Sequence, residues 1–200
     1  GYILPPLSVR PVIVQTDYVP EGQLFATTLK GIGDRAAVRK QTIGDRVAAA
    51  VRIIEAEPDE SWTIWCGLNS EQDAIAAALG ESCVSIYGSL SPEDKVARAE
   101  HWQRGEVPYL VTKGAIYGHG VNWQHCARTV FVGLSDSFEL YHQIVRRHWR
   151  FGQHRPVHAY IVLTEPEEAI YANVLRKERE FEAMTDELVK HVAEFEKAEI

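Results

Sequence analysis

The sequence predicts an α/β domain with a mainly parallel sheet covered by helices on both faces. From residue 61 onward, short and near-continuous apolar runs alternate with segments of helical periodicity. Strands buried on both faces read this way, whereas half-exposed strands alternate apolar with polar residues. Start and stop signals for helices fall between the runs, which fixes the alternation.

In chain order, PPLSVRPVIVQTD holds one strand after an extended Pro-Pro approach, and a long helix follows from about Asp34 to Glu57. Val47, Val51, Ile54 and several alanines form its apolar face. WTIWCGL, within 61–68, is the next strand; Ser70 with Asp73 then gives a Ser-x-x-Asp cap and Gly80 a stop. CVSIY (83–87) precedes Ser91-Pro92-Glu93-Asp94, a cap with Pro at the first helical position, and Gly105 closes that helix. VPYLVT (107–112), RTVFVGL (128–134) and VHAYIVLT (157–164) are the remaining strands. Thr164 and Glu167 cap a long charged helix whose Ile170, Val174, Phe181, Met184, Leu188, Val192 and Phe195 recur at helical spacing. That stripe is expected to pack on the domain, with a coiled coil or a docked partner as the alternative. The resulting divisions are a leading strand and helix over 1–60, an α/β core over 61–165 and a charged helix over 166–200.

Two hundred residues with 46% hydrophobic content suffice for a core that needs no staples. Three scattered cysteines without a C-x-x-C pair fit reduced thiols and a cytoplasmic protein. No run approaches the roughly 18 apolar residues of a membrane span, and the start lacks a secretory signal. An opening Gly rather than Met fits a piece of something longer. The net charge of -7 argues against a free-standing nucleic-acid binder.

Charge is unevenly spread. YHQIVRRHWRFGQHR (141–155) holds Arg146, Arg147, Arg150 and Arg155 with no acid among them. As a helix from about Ser137, it places Phe138, Tyr141, Val145 and Trp149 on one side, and Gln143, Arg146, Arg147 and Arg150 opposite. A solvated basic face is the plain reading, yet it would ordinarily carry acids four residues away. Guanidinium forks without acids favour anion recognition, with phosphate the natural partner.

Gln143, Arg147, Arg150, Gly152 and Gln153, spaced Q-x-x-x-R-x-x-R-x-G-Q, resemble motif VI of superfamily 2 helicases in its Swi/Snf-like form. LVTKGAIYGHGVNW (110–123) is similar to motif V, with Gly114, Gly118 and Gly120 suited to close backbone approach to a phosphate chain. WTIWCGLNSEQD resembles motif IV, YGSLSPEDK resembles the Gly-Ser segment that touches the DNA backbone in relatives, and YILPPL resembles the start of the second lobe. The wording is nearest to helicase-like proteins of phages and prophages, and the likeness spans most of 1–165.

The resemblance implies a RecA-like three-layer αβα sandwich, the second lobe of an ATP-dependent DNA helicase or translocase. Arg147 and Arg150 would then serve as catalytic arginine fingers. Gln143, Gly118, Gly120 and Asn122 would lie at the nucleotide, and Lys113, Ser89 and Thr112 near the backbone of DNA, with a double-stranded track implied. Lys113, His119 and Trp123 depart from the pattern of remodelling enzymes. ATP and Mg²⁺ are the implied cofactors of a complete enzyme, held by an N-terminal RecA-like lobe. This chain alone is expected to hold neither, since it contains no G-x-x-x-x-G-K-[ST] loop. Asp59-Glu60-Ser61-Trp62 imitates a Walker B box but precedes its strand and reads as an acidic turn. Two other readings compete: a zinc site among His119, His125, Cys126, His142, His148, His154 and His158, whose spacing is wrong for one, and a stand-alone, non-enzymatic module that binds an anionic partner through the arginine helix.

Overall fold

The computed structural model describes residues 3–16, 38–117, 122–134 and 137–198. Among them six strands form one sheet: β1 (Leu7–Val14), β2 (Trp62–Cys66), β3 (Cys83–Ser85), β4 (Tyr109–Lys113), β5 (Arg128–Val132) and β6 (Val157–Thr164). The spatial order is β1-β6-β5-β2-β4-β3, and every pairing is parallel. The helices are α1 (Ile43–Glu55), α2 (Asn69–Leu79), α3 (Pro92–Gln103), the four-residue α4 (Gly114–Tyr117), α5 (Phe138–His148) and α6 (Glu168–Ala198).

The expected strands all form, because their apolar runs have somewhere to go on both faces. On one face α1 and α2 cover Ile64, Val130 and Val162 with Val47, Ala50, Ile54 and Ile75. On the other, α3, α5 and the start of α6 cover Trp65, Leu110, Phe131 and Ile161 with Trp102, Tyr141, Val145 and Val174. The result is the three-layer αβα sandwich. β2 lies at its centre with all five residues buried, and each such large apolar side chain contributes about 1.5–3 kcal/mol. β1 is an edge strand, which is why it tolerates Pro11: the missing N–H costs no ladder bond on an open side.

Helix ends follow the sequence signals with one shift. Ser91 Oγ accepts from Asp94 N at 3.0 Å, with Pro92 in the first turn. Gly80 and Gly105 take the left-handed backbone (φ 58° and 74°) that a side chain resists. Thr164 and Glu167 form the expected box: Glu167 Oε2 accepts from Thr164 N at 3.1 Å. At α2, however, Ser70 is not the cap. The helix starts at Asn69, and Glu71 Oε2 reaches back to accept from Gly67 N and Leu68 N at 2.8 and 2.9 Å. A carboxylate satisfies two orphan donors where a hydroxyl would satisfy one.

The C-terminal helix departs further from expectation. Ile170 and Val174 are buried, but Phe181, Met184, Leu188 and Val189 are exposed. The stripe is buried at Ile170 and Val174, continues as a partial contact where the Phe181 ring lies 5.9 Å from Phe138 and 5.1 Å from His142, and leaves Met184 and Leu188 to solvent. In the segment expected to run from Asp34, residues 34–37 lie outside the described residues. No helix among the described residues is long and apolar enough to cross a membrane.

Because all strands are parallel, α5 runs from the carboxyl edge of the sheet, after β5, back to the amino edge, before β6. The connection 114–127 makes the same passage from β4 to β5. Both therefore deliver their last residues to one edge.

Candidate functional site

α5 begins with Ser137 Oγ accepting from Leu140 N at 3.2 Å. Phe138, Tyr141, Val145 and His148 face the core, and Gln143, Arg146 and Arg150 face outward as expected. Arg147 does not. It is only 4% exposed, its Cζ 5.9 Å from the centre of the Trp65 ring. The outward face predicted from 100° per residue missed two neighbours: the Trp65 ring on β2 and the 122–126 segment, whose Trp123 N bonds Arg147 O.

Arg147 is buried with no carboxylate partner among the described residues. Its Nε and Nη1 have no hydrogen-bond partner among the described residues. Burial pulls its pKa down to about 10, so the group remains a cation at neutral pH. The negative end of the α5 dipole and the Trp65 ring offset part of the cost. Other sheltered arginines are treated differently. Arg46 donates to Glu71 Oε1, Arg39 to Glu167 at 2.9 Å and Arg128 to Glu57 at 2.8 Å. Arg155, within the basic run, pairs with Glu60 at 2.7 Å, which identifies Asp59-Glu60 as the acidic turn the sequence suggests. Arg146 stacks over Trp149, Cζ to ring centre 4.7 Å.

The turn after α5 is held by Gly152 (φ 90°) and Gln153. Gln153 N donates to Arg150 O at 3.0 Å, and Arg150 itself is exposed, with Phe151 beside it 73% exposed. Opposite lies the end of the 114–127 connection. Trp123 N donates to Arg147 O at 3.2 Å, and Arg155 Nη2 to His125 O at 3.1 Å. His148 Nδ1 stands 3.1 Å from Cys126 O, and its Nε2 3.1 Å from Thr63 Oγ1. A carbonyl cannot donate, so the Nδ1–H tautomer is required and Nε2 accepts from the hydroxyl. Burial holds this imidazole neutral, its pKa pushed down to about 4. Trp123 is fully buried among Trp65, Trp102 and Tyr117, at ring-centre distances of 5.6, 5.2 and 5.3 Å.

The remaining expected residues divide between the two edges. Asn122 is exposed beside this turn, whereas Gly118 and Gly120 lie outside the described residues, as does His119. Gly114 has a packing role: a Cβ there would meet Ile144 Cδ1 at 2.9 Å and Leu140 Cδ1 at 3.0 Å. Its bareness lets α5 pack closely against the start of α4, and the expectation that it approaches phosphate is corrected accordingly. Thr112 is fully buried and donates to Ile86 O at 3.0 Å, so it ties β4 to the chain after β3 and presents nothing to solvent. Half-buried Lys113 and exposed Ser89 sit at the carboxyl edge, after neighbouring strands β4 and β3. The structure thus brings Gln143, Arg147, Arg150 and Asn122 to one region and leaves Lys113 and Ser89 at the other end of the strands.

Sequence reasoning missed one cluster. At the carboxyl edge, Arg46 donates to Arg39 O, to Val132 O at 3.3 Å and to Glu71; Glu167 accepts from Arg39 and from Thr164. Two guanidiniums and two carboxylates balance there and pin α1, α2 and the ends of β5 and β6 together. Gly133 (φ 85°) admits this, since a Cβ would lie 2.8 Å from Arg46 Nη1. The signal was an arginine on an otherwise apolar helix face. Among the described residues no group of three His, Cys, Asp or Glu side chains is arranged to hold a metal ion.

Known structures share this architecture. The C-terminal part of the Fun30 ATPase domain aligns at 16% identity with a TM-score of 0.58, over 65% of this chain and 45% of that one. A Dbp5 variant from S. cerevisiae, bound to RNA and ADP BeF3, aligns at 14% identity with a TM-score of 0.59, over 67% of this chain and 36% of that one. At such identities the likeness speaks for the fold, which is RecA-like, and this chain spans less than half of either structure. No curated protein matches the sequence. Residues 45–152, from α1 through the arginine-bearing turn, match the helicase conserved C-terminal domain, and the chain belongs to that family.

Proposed function

We propose that this chain is the second motor lobe of a superfamily 2, Swi/Snf-like DNA helicase or translocase, of the kind phages and prophages carry. The observation that carries the reading is Arg147: a permanent cation, buried beside a Trp ring, with Nε and Nη1 unbonded. An isolated buried charge costs several kcal/mol, and among the described residues the sheltered arginines Arg39, Arg46 and Arg128 are each answered by a carboxylate whereas Arg147 is not. A counter-ion supplied from outside the chain accounts for the exception, and a phosphate group fits a guanidinium fork. ATP with Mg²⁺, held by a first lobe, would supply the phosphoryl group. Arg150, exposed on the turn, then reaches the transferred phosphate, and Arg147 adds positive charge behind it. Gln143 and Asn122 border the nucleotide, as Gly118 and Gly120 do by their place in the same connection. Lys113 and Ser89 face the DNA backbone at the carboxyl edge. Closure of two lobes around nucleotide would assemble these groups, and reopening would shift the DNA-facing loops.

The test pairs the isolated chain with the complete polypeptide. The chain alone shows no ATP hydrolysis above background, whereas Arg150→Ala in the complete enzyme lowers kcat by about 10³-fold or more and changes ATP affinity little. DNA-stimulated hydrolysis by the chain alone would sink the reading. Tight binding of inorganic phosphate or nucleotide by the chain alone would instead favour a stand-alone anion-binding module.

A further inference from the structure

Arg150 can act on a phosphate only if its turn is held still, and one side chain does the holding. Gln153 is 2% exposed and uses all four hydrogen-bonding positions of its amide on backbone groups. Its Nε2 donates to Gln124 O at 2.8 Å and to His148 O at 3.2 Å. Its Oε1 accepts from His154 N at 3.0 Å and from Arg155 N at 2.9 Å. Two carbonyls on one side and two amides on the other fix the amide's orientation without ambiguity. Three segments therefore meet on one residue: the end of α5, the turn leading to β6, and the end of the 114–127 connection.

We infer that Gln153 is the positioning residue for Arg150, and that it does so by locking the arginine turn to the 122–126 segment. This rests on the motor-lobe reading for its consequence but not for its geometry. The 122–126 segment is the far end of the connection that leaves Lys113 at the carboxyl edge. Gln124 O, the Trp123 N–Arg147 O bond and the His148–Cys126 O bond join that segment to the Arg147–Gln153 turn, so the two move as one body. Gly152 suits this turn because a side chain resists its φ of 90°, and its bare Cα lets the Gln124 side-chain amide lie against it.

The variant that isolates this role is Gln153→Glu. It keeps shape and both acceptors, but sets a carboxylate against the carbonyls of Gln124 and His148. In this chain, amide hydrogen exchange at Trp123 and Gln153 accelerates together by at least tenfold, while the amides of Val130 and Ile161 in the central strands stay as in wild type. In the complete polypeptide the same variant lowers kcat by tenfold or more with the KM for ATP within twofold. Should the glutamate variant unfold, Gln153→Leu is held to the same two standards. Wild-type exchange at Trp123, or a kcat within twofold of wild type, overturns the inference. A wild-type polypeptide without any ATPase would sink the motor reading instead, and the exchange result would still decide whether Gln153 is the lock.

Discussion

Two neighbours on α5 show how burial assigns opposite charge states. Arg147 stays protonated because even a pKa lowered to about 10 lies far above neutrality. His148, whose ordinary value is 6.5, is held near 4 by burial and is neutral in the folded protein. The unfolded chain takes up a proton on this residue below about pH 6.5, whereas the folded chain refuses it until about pH 4. Stability from this residue is thus complete above pH 6.5 and is lost as pH falls toward 4, by roughly 3 kcal/mol in total. Urea titrations of wild type and His148→Gln between pH 7 and 4 isolate that contribution from the carboxylates common to both. The wild-type curve should fall more steeply by about this amount, and parallel curves would mean that His148 is not the buried neutral group described. The same pairing of roles explains why Arg46, equally buried, resembles Arg147 in sequence but not in chemistry: Glu71 answers it, and removing either partner would cost about 3–5 kcal/mol.

Whole elements were the most legible level of this sequence. The six strands announce themselves because a parallel sheet buried on both faces leaves uninterrupted apolar runs, and the caps at Ser91 and Thr164 bond as their spacing implies. What escaped was whatever depends on a neighbour from elsewhere in the chain. The helical wheel put Arg147 outside because it cannot register the wall made by Trp65 and Trp123, and Gly114 looked like a phosphate-loop residue because its contact is Leu140, a residue distant in sequence. The C-terminal helix illustrates the same limit. A periodic stripe tells which face is apolar and nothing about how much sheet lies beneath it. Ile170 and Val174 meet the core, and Leu188 does not. Denaturation of the chain should therefore register Ile170→Ala as a loss of about 2–5 kcal/mol and Leu188→Ala as a change within about 0.5 kcal/mol. A comparable loss at Leu188 would show that the outer half of α6 is packed after all.

At the scale of the molecule, the sheet is closed by its two ends. β1 and β6 pair over their full lengths, Leu7 with Val157 through Val14 with Thr164, although some 150 residues of chain separate them. The family match stops short of both strands. β6 is an interior strand whose last four residues are buried, so a chain deprived of β1 presents it as a long apolar edge, the kind that pairs with other copies. Leu7, Val9 and Ile13 contribute to one core layer and Val12 and Val14 to the other. At about 1 kcal/mol for each half-buried side chain, their loss approaches the whole stability of an ordinary domain. A fragment starting at residue 38 should consequently self-associate and unfold at lower urea than the full chain. A peptide of residues 3–16 should bind it and restore both solubility and midpoint, because the strand can pair in trans with the ladder β6 already offers. The same peptide with Val9 and Val12 changed to Asp should fail, since one substitution strikes each layer. A fragment as stable and monomeric as the full chain would show that β1 is a bystander on the edge, and the domain would then begin at α1.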